Sequence, residues 1–250
     1  MTQVQRLSPD ERQRLAVLLD EQSPADAAAE YYAIHHPSDK TRLFTVASNQ
    51  GQPKGFLAVA RTGLDLFRPL LVPFVGQADS LQALLRLVMP EIGAGILRIP
   101  VSQVGWLDGA AVLDEDSRFE ILRLAPSRFE PILNVLVVES PTPDGSPRYE
   151  VRTADGEFAA AGINWMGDRF AEIYLQSSDG ARRRRLTRSV LSAMLGRLLG
   201  ERRHPLYLVR DSDLSARTEA FQLGFRPTGL TVALMGVHSL EERLSDEEAD

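Results

Sequence analysis

The chain has 250 residues, a formal net charge of −6, 44% hydrophobic and 25% charged residues, and no cysteine. This is the composition of a globular protein with room for one large domain or two smaller ones, and the missing cysteines exclude disulfides, thiolate zinc sites, iron–sulfur clusters and a cysteine nucleophile. The polar start (Thr2, Gln3, Gln5) lacks the apolar core of a secretory signal, and no apolar run approaches the roughly 18 residues needed to span a bilayer, so a cytoplasmic protein without membrane contact is expected.

In chain order, Ser8-Pro9-Asp10-Glu11 predicts a helix opened by a capping box, and 25–35 predicts a second helix stopped by Pro37. Leu43–Ala47 and Gly55–Ala60 flank a turn at Asn49-Gln50-Gly51 and predict a hairpin. Leu70–Val75 predicts a strand whose Pro73 marks an edge, a bulge or a splayed position. Leu81, Leu84, Leu85 and Val88 form the stripe of a helix that ends at Gly93-Ala94-Gly95; strands at Ile96–Ile99 and Phe119–Leu124 follow. The second half repeats the order. Strands are predicted at Val135–Val138, Tyr149–Thr153, Phe158–Trp165 and Phe170–Leu175, then a helix striped from Leu186 to Leu199, a strand at Leu206–Val209, a short helix over 213–223 and a last strand at Leu230–Met235. The junction between halves is placed near Pro131–Asn134.

Charge is uneven. Residues 1–132 carry −3, residues 133–240 carry +2 and the last ten carry −5. Five arginines within Arg182–Arg188 account for the positive region, which would otherwise be −3. One compact cationic spot suits a small polyanion; a long nucleic acid wants an extended basic surface and is not an expected partner. Cations ahead of a helix oppose its dipole by a few tenths to about 1 kcal/mol each, and guanidinium groups are good bidentate phosphate ligands. Two readings stay open: an anion site built from Arg182, Arg183, Arg185 and Arg188, or a solvated basic turn against the acidic tail.

The run Ala171–Leu175, Arg182–Arg188, Leu206–Val209, Asp213–Ala216 and Leu223–Gly229 resembles the GNAT superfamily of acyl-CoA-dependent N-acyltransferases. That family places a strand, a loop of pattern Arg/Gln-x-x-Gly-x-Gly/Ala, a helix, a second strand, an Asn-x-x-Ala step and a Gly-Phe pair. Here Gly224-Phe225 keeps its spacing from Ala216, whereas Arg185 and Thr187 replace the loop glycines, Asp213 the asparagine and Ala220 the tyrosine acid. The resemblance covers about residues 149–235, and the first half resembles the fold in element order. It implies an α/β fold class with α+β mixed sheets: two GNAT-like lobes, each a mostly antiparallel mixed sheet with flanking helices. Residues 1–132 would form a lobe without cofactor, 133–240 a lobe with the CoA site, and 241–250 an acidic tail.

The implied reaction moves an acetyl or other acyl group from acyl-CoA, with acetyl-CoA as donor, to an unidentified amine. Cofactor contacts would come from Ile173, Leu175, Arg182, Arg183, Arg185, Leu186, Thr187, Arg188 and Asp213. Glu172 and Tyr174 share parity on their strand and so face one side. Glu172 is the candidate base, against a glutamate merely paired with an arginine; Tyr174 is the second catalytic candidate, against a core residue. The alternative to an enzyme is a degenerate module that binds CoA, a phosphorylated ligand or a protein partner. Whether the chain forms a homodimer stays open. His35-His36, the acidic triplet Asp114-Glu115-Asp116 and Gly93-Ala94-Gly95 lack the spacing or context of metal and dinucleotide sites.

Overall fold

The computed structural model describes residues 3–63, 65–140, 142–143, 145–183 and 186–240. Those up to Phe119, with those from Thr231 on, form one compact unit, and Glu120–Leu230 form a second.

In the first unit, β1 (Gln3–Leu7), β2 (Thr41–Ala47), β3 (Pro53–Ala60) and β4 (Leu70–Val75) pair antiparallel in that order. The expected hairpin of β2 and β3 turns at Gly51, whose φ of 76° favours glycine. Between β1 and β2 lies the first predicted helix. It is a 3-10 helix, Pro9–Leu18, in which the Glu11 carboxylate accepts from the Ser8 amide at 3.1 Å. Next, α1 (Ala27–Glu30) runs into a π turn, Tyr31–His35. The buried Arg12 joins these pieces, donating from Nε to the Ala33 carbonyl at 2.6 Å and from Nη2 to that of Tyr32 at 3.3 Å. His36 is buried beside the Tyr31 and Tyr32 rings and the Thr41 hydroxyl. Burial first, then the cations of Lys40 and Arg12, push its imidazole down to about 4.

Helix α2 (Ala78–Ile92) buries Leu81, Leu84, Leu85 and Val88 as its stripe predicts, and stops at Gly93 with φ 69°. It leads into β5 (Ala94–Pro100), which runs parallel to β4 and is paired with it only at Leu70↔Ile96 and Leu71↔Leu97. Pro73 therefore sits in a splayed stretch. A 3-10 helix, Val101–Leu107, follows. Gln103 ties it to β4 by donating to the Val75 carbonyl at 3.4 Å, and Gln82 of α2 donates to the Trp106 carbonyl at 3.1 Å. Val101, Val104, Trp106 and Leu107 from this helix join the core of the unit. Residues Val232–His238 pair antiparallel with β5, and Val237 and His238 also with the short β6 (Val112–Leu113).

The second unit takes in β7 (Ser117–Leu124) from Glu120 onward, β8 (Val138–Glu139), β9 (Arg148–Arg152), β10 (Phe158–Met166), β11 (Phe170–Ser177), α3 (Asp179–Arg183), α4 (Leu186–Gly200), β12 (His204–Arg210), α5 (Leu214–Gln222) and the first half of β13 (Phe225–His238). Its strands lie in the order β8-β9-β10-β11-β12-β7-β13. The pairs from β8 to β11 are antiparallel, whereas β11 and β12 run parallel. Ala159, Ala161, Ala171 and Ile173 share a buried cluster with Val190, Leu191, Met194, Leu195 and Leu198 of α4. Each unit thus holds a mixed, mostly antiparallel sheet with a long helix between two parallel strands.

Several elements differ from expectation. Val135–Val138 is not a strand: the Asn134 side chain accepts from the Leu136 amide at 3.0 Å in a local turn, and pairing starts only at Val138. Ile132 and Asn134 donate to Ser192 and Ser189 of α4 at 2.7 and 3.2 Å, so 131–134, where the sequence placed the junction, lies within the second unit. The units instead divide inside β7 and β13. Strand β1 and the helix Val101–Leu107 were not foreseen. The acidic tail 241–250 lies outside the described residues.

Candidate functional site

In the second unit the candidate site lies where β11 and β12 part. They pair from Phe170↔His204 to Ile173↔Tyr207 and no further, although β11 continues to Ser177 and β12 to Arg210. On its other side β11 stays paired with β10 up to Ala159↔Ser177. One backbone edge of β11 beyond Ile173 is therefore without a strand partner among the described residues. A strand edge of this kind offers N–H and C=O groups to an extended ligand. In the first unit the matching stretch of β4 contains Pro73, which has no N–H to offer, and its end is met by Gln103.

Odd residues of β11 face α4, so Glu172 and Tyr174 project from the opposite face, as parity predicts. The two differ in setting. Glu172 is 3% exposed and accepts from Asn164 Nδ2 at 3.1 Å. Asn164 sits at a bulge: the β10–β11 register passes from Ile163↔Ile173 to Trp165↔Glu172. Tyr174 is half-buried and opposite Gly162, where a Cβ would run into its ring. Ile173 is fully buried, so only its backbone can meet a ligand, and half-buried Leu175 packs on the unit's core.

Arg182 and Arg183 are not in a loop ahead of a helix. Arg182 and Arg183 close α3, a helical turn that already begins at Asp179. The side chains of Arg182 and Arg183, and the whole of Arg185, lie outside the described residues. Helix formation this early has a specific cause. The Glu157 carboxylate, from the β9–β10 turn, accepts from the Ala181 amide at 3.1 Å and from the Ser178 hydroxyl. It also lies against Gly180, where any side chain would collide with it. An internal anion therefore caps the first turn after β11.

The remaining candidates divide. Thr187 is wholly buried and donates to Glu219 of α5, which joins two helices. Leu186 packs on the core. Arg188, in the first turn of α4, has its Nε shielded from solvent with no hydrogen-bond acceptor among the described residues. Asp213 caps α5, accepting from the Ala216 amide at 2.9 Å. Ala220, at the tyrosine position of the resemblance, is 1% exposed and part of the core. Sequence reasoning missed Asn164 and Glu157. Both act through cross-strand neighbours, and only the bulge and the turn geometry bring them in. Among the described residues no cluster of three or more His, Cys, Asp or Glu could hold a metal, and no helix is long and apolar enough to cross a membrane.

The sequence matches no protein-family model and no curated protein. Solved structures do match. A Drosophila protein aligns over 95% of this chain and 99% of its own, with a TM-score of 0.67 at 13% identity. A tandem GNAT protein from the clavulanic acid biosynthesis pathway aligns over 95% and 98%, with a TM-score of 0.62 at 12% identity. A GCN5-related N-acetyltransferase from Sphaerobacter thermophilus aligns over 94% and 95%, with a TM-score of 0.61 at 9% identity. At these identities the likeness is one of fold. The fold is that of the GNAT N-acetyltransferases in its two-lobed, tandem form.

Proposed function

We propose that the chain is an N-acyltransferase that takes an acyl group, acetyl in the simplest case, from acyl-CoA and passes it to an amine. The observation that carries this reading is the parting of β11 and β12 after Ile173↔Tyr207. An extended pantetheine arm can lie along the open edge at Ile173–Leu175 and bond to the backbone there. Arg188, with Arg182, Arg183 and Arg185, would meet the phosphates; its shielded Nε lacks an acceptor among the described residues, and a phosphate oxygen would supply one.

The donor brings an activated thioester. A backbone N–H of the β11 edge would hold the carbonyl oxygen as it gains charge. Glu172 takes the proton the amine loses as its nitrogen bonds to the acyl carbon. The carbon–sulfur bond breaks, and the thiolate leaves with a proton from water, because Ala220 cannot give one. Thr187 and Asp213, engaged by Glu219 and Ala216, act by holding the helices in place.

A second reading has an observation of its own. The buried Ala220, which leaves no family-type acid, suits a module that binds CoA or another phosphorylated ligand without turnover. Calorimetric titration with acetyl-CoA, followed by thiol release over a panel of amines, separates the two. Binding with thiol release supports the transferase. Binding without release on any amine supports the module, and no binding overturns the transferase.

A further inference from the structure

Asn164 is the extra residue of the bulge in β10. Ile163 pairs with Ile173 and Trp165 with Glu172, so Asn164 has no opposite number on β11. A bulge re-aims a side chain, and here it brings the Asn164 amide to 3.1 Å from Glu172 Oε1. Glu172 lies one residue before the last paired position of β11 and β12, directly below the opening between them.

A carboxylate that is 3% exposed has lost most of its water and depends on protein donors for its orientation. A side-chain amide suits this task because it donates a hydrogen bond without bringing a charge of its own. It can fix the plane of the carboxylate without the pull on the proton that a guanidinium in its place would add.

We propose that Asn164 is a positioning residue, holding the Glu172 carboxylate in the orientation that receives the proton of the acceptor amine. The inference rests on the reading of Glu172 as the base. Asn164 touches neither donor nor acceptor, and it acts through Glu172 alone.

The test measures kcat and the KM for acetyl-CoA, with the responsive amine, in the unmodified protein and in Asn164→Ala, Asn164→Asp and Asn164→Gln, and thermal melting of each. Asn164→Ala lowers kcat on the order of 10²-fold, the scale of a misplaced catalytic group, while KM and melting stay near those of the unmodified protein. Asn164→Asp, which sets a second carboxylate beside Glu172, loses at least as much, and Asn164→Gln recovers part because it keeps the donor. A kcat in Asn164→Ala equal to that of the unmodified protein overturns the positioning role while leaving the transferase reading intact. If the variant does not fold, Asn164→Asp and Asn164→Gln carry the comparison, and equal kcat in those two overturns the role. An unmodified protein that binds acetyl-CoA but releases no thiol overturns the transferase reading, and this inference with it.

Discussion

The ring of Tyr174 occupies the space above Gly162 that any side chain there would need. The two residues are direct partners across β10 and β11, on the face that also carries Glu172. Gly162→Ala must push the ring aside or distort the strand pair. A loss of about 1–3 kcal/mol is expected, read as a lower urea midpoint with unchanged slope.

Gly196 gives the opposite expectation. It is exposed within α4, its backbone is helical, and a Cβ there would meet nothing within 4 Å. Gly196→Ala should raise stability by about 0.4–1 kcal/mol, because the unfolded chain loses freedom and the folded helix loses nothing.

His36 sets a pH dependence. Its folded pKa of about 4 lies below the ordinary 6.5, so between these values the unfolded chain binds a proton that the folded one refuses. Stability is therefore whole above the upper value, falls as pH drops through the window, and levels off below the lower one after a loss of about 3 kcal/mol. Burial and the cations of Arg169 and Arg123 also lower His204, in the same direction. Chemical denaturation between neutral and acid pH should show this slope, and His36→Asn should flatten most of it.

Arg188→Ala should weaken acetyl-CoA binding by about tenfold or more, the scale of a charge-assisted phosphate contact. Arg188→Lys should recover part of the charge but not the fork geometry. Equal affinity in all three proteins by calorimetry would remove Arg188 from the donor site.

Placing a tyrosine at 220 should not restore a family-type acid. Ala220 is sealed in the core with Leu223 and Phe225. Ala220→Tyr should overpack that core by about 1–3 kcal/mol, lowering the melting temperature without raising turnover.

What the sequence reveals depends on range. The stripe of α2, the strands and turn of the β2–β3 hairpin and the shared face of Glu172 and Tyr174 all follow from local pattern. The misses are non-local or punctuated. Strand β1 (QVQRL) reads as polar, and only pairing with β2 makes it a strand. Pro227 and Gly229 hide the first half of β13. Arg182 and Arg183 read as part of a loop because the carboxylate that caps the turn they close comes from Glu157, more than twenty positions earlier. Asn164 is legible only once the register slip opposite Glu172 is known.

The division of β13 bears on how this chain can be cut. The first unit takes Ala233, Met235 and Val237 into its core from the far end of the polypeptide, and β5 pairs there with Val232–His238. A fragment ending at residue 132 would leave β5 with a bare edge and a core missing those side chains. The second unit is one continuous segment that begins on β7 and ends on its neighbour β13. In genetic terms it is an insertion into the first unit, so excising it, and not truncating the chain, is the way to obtain either piece alone.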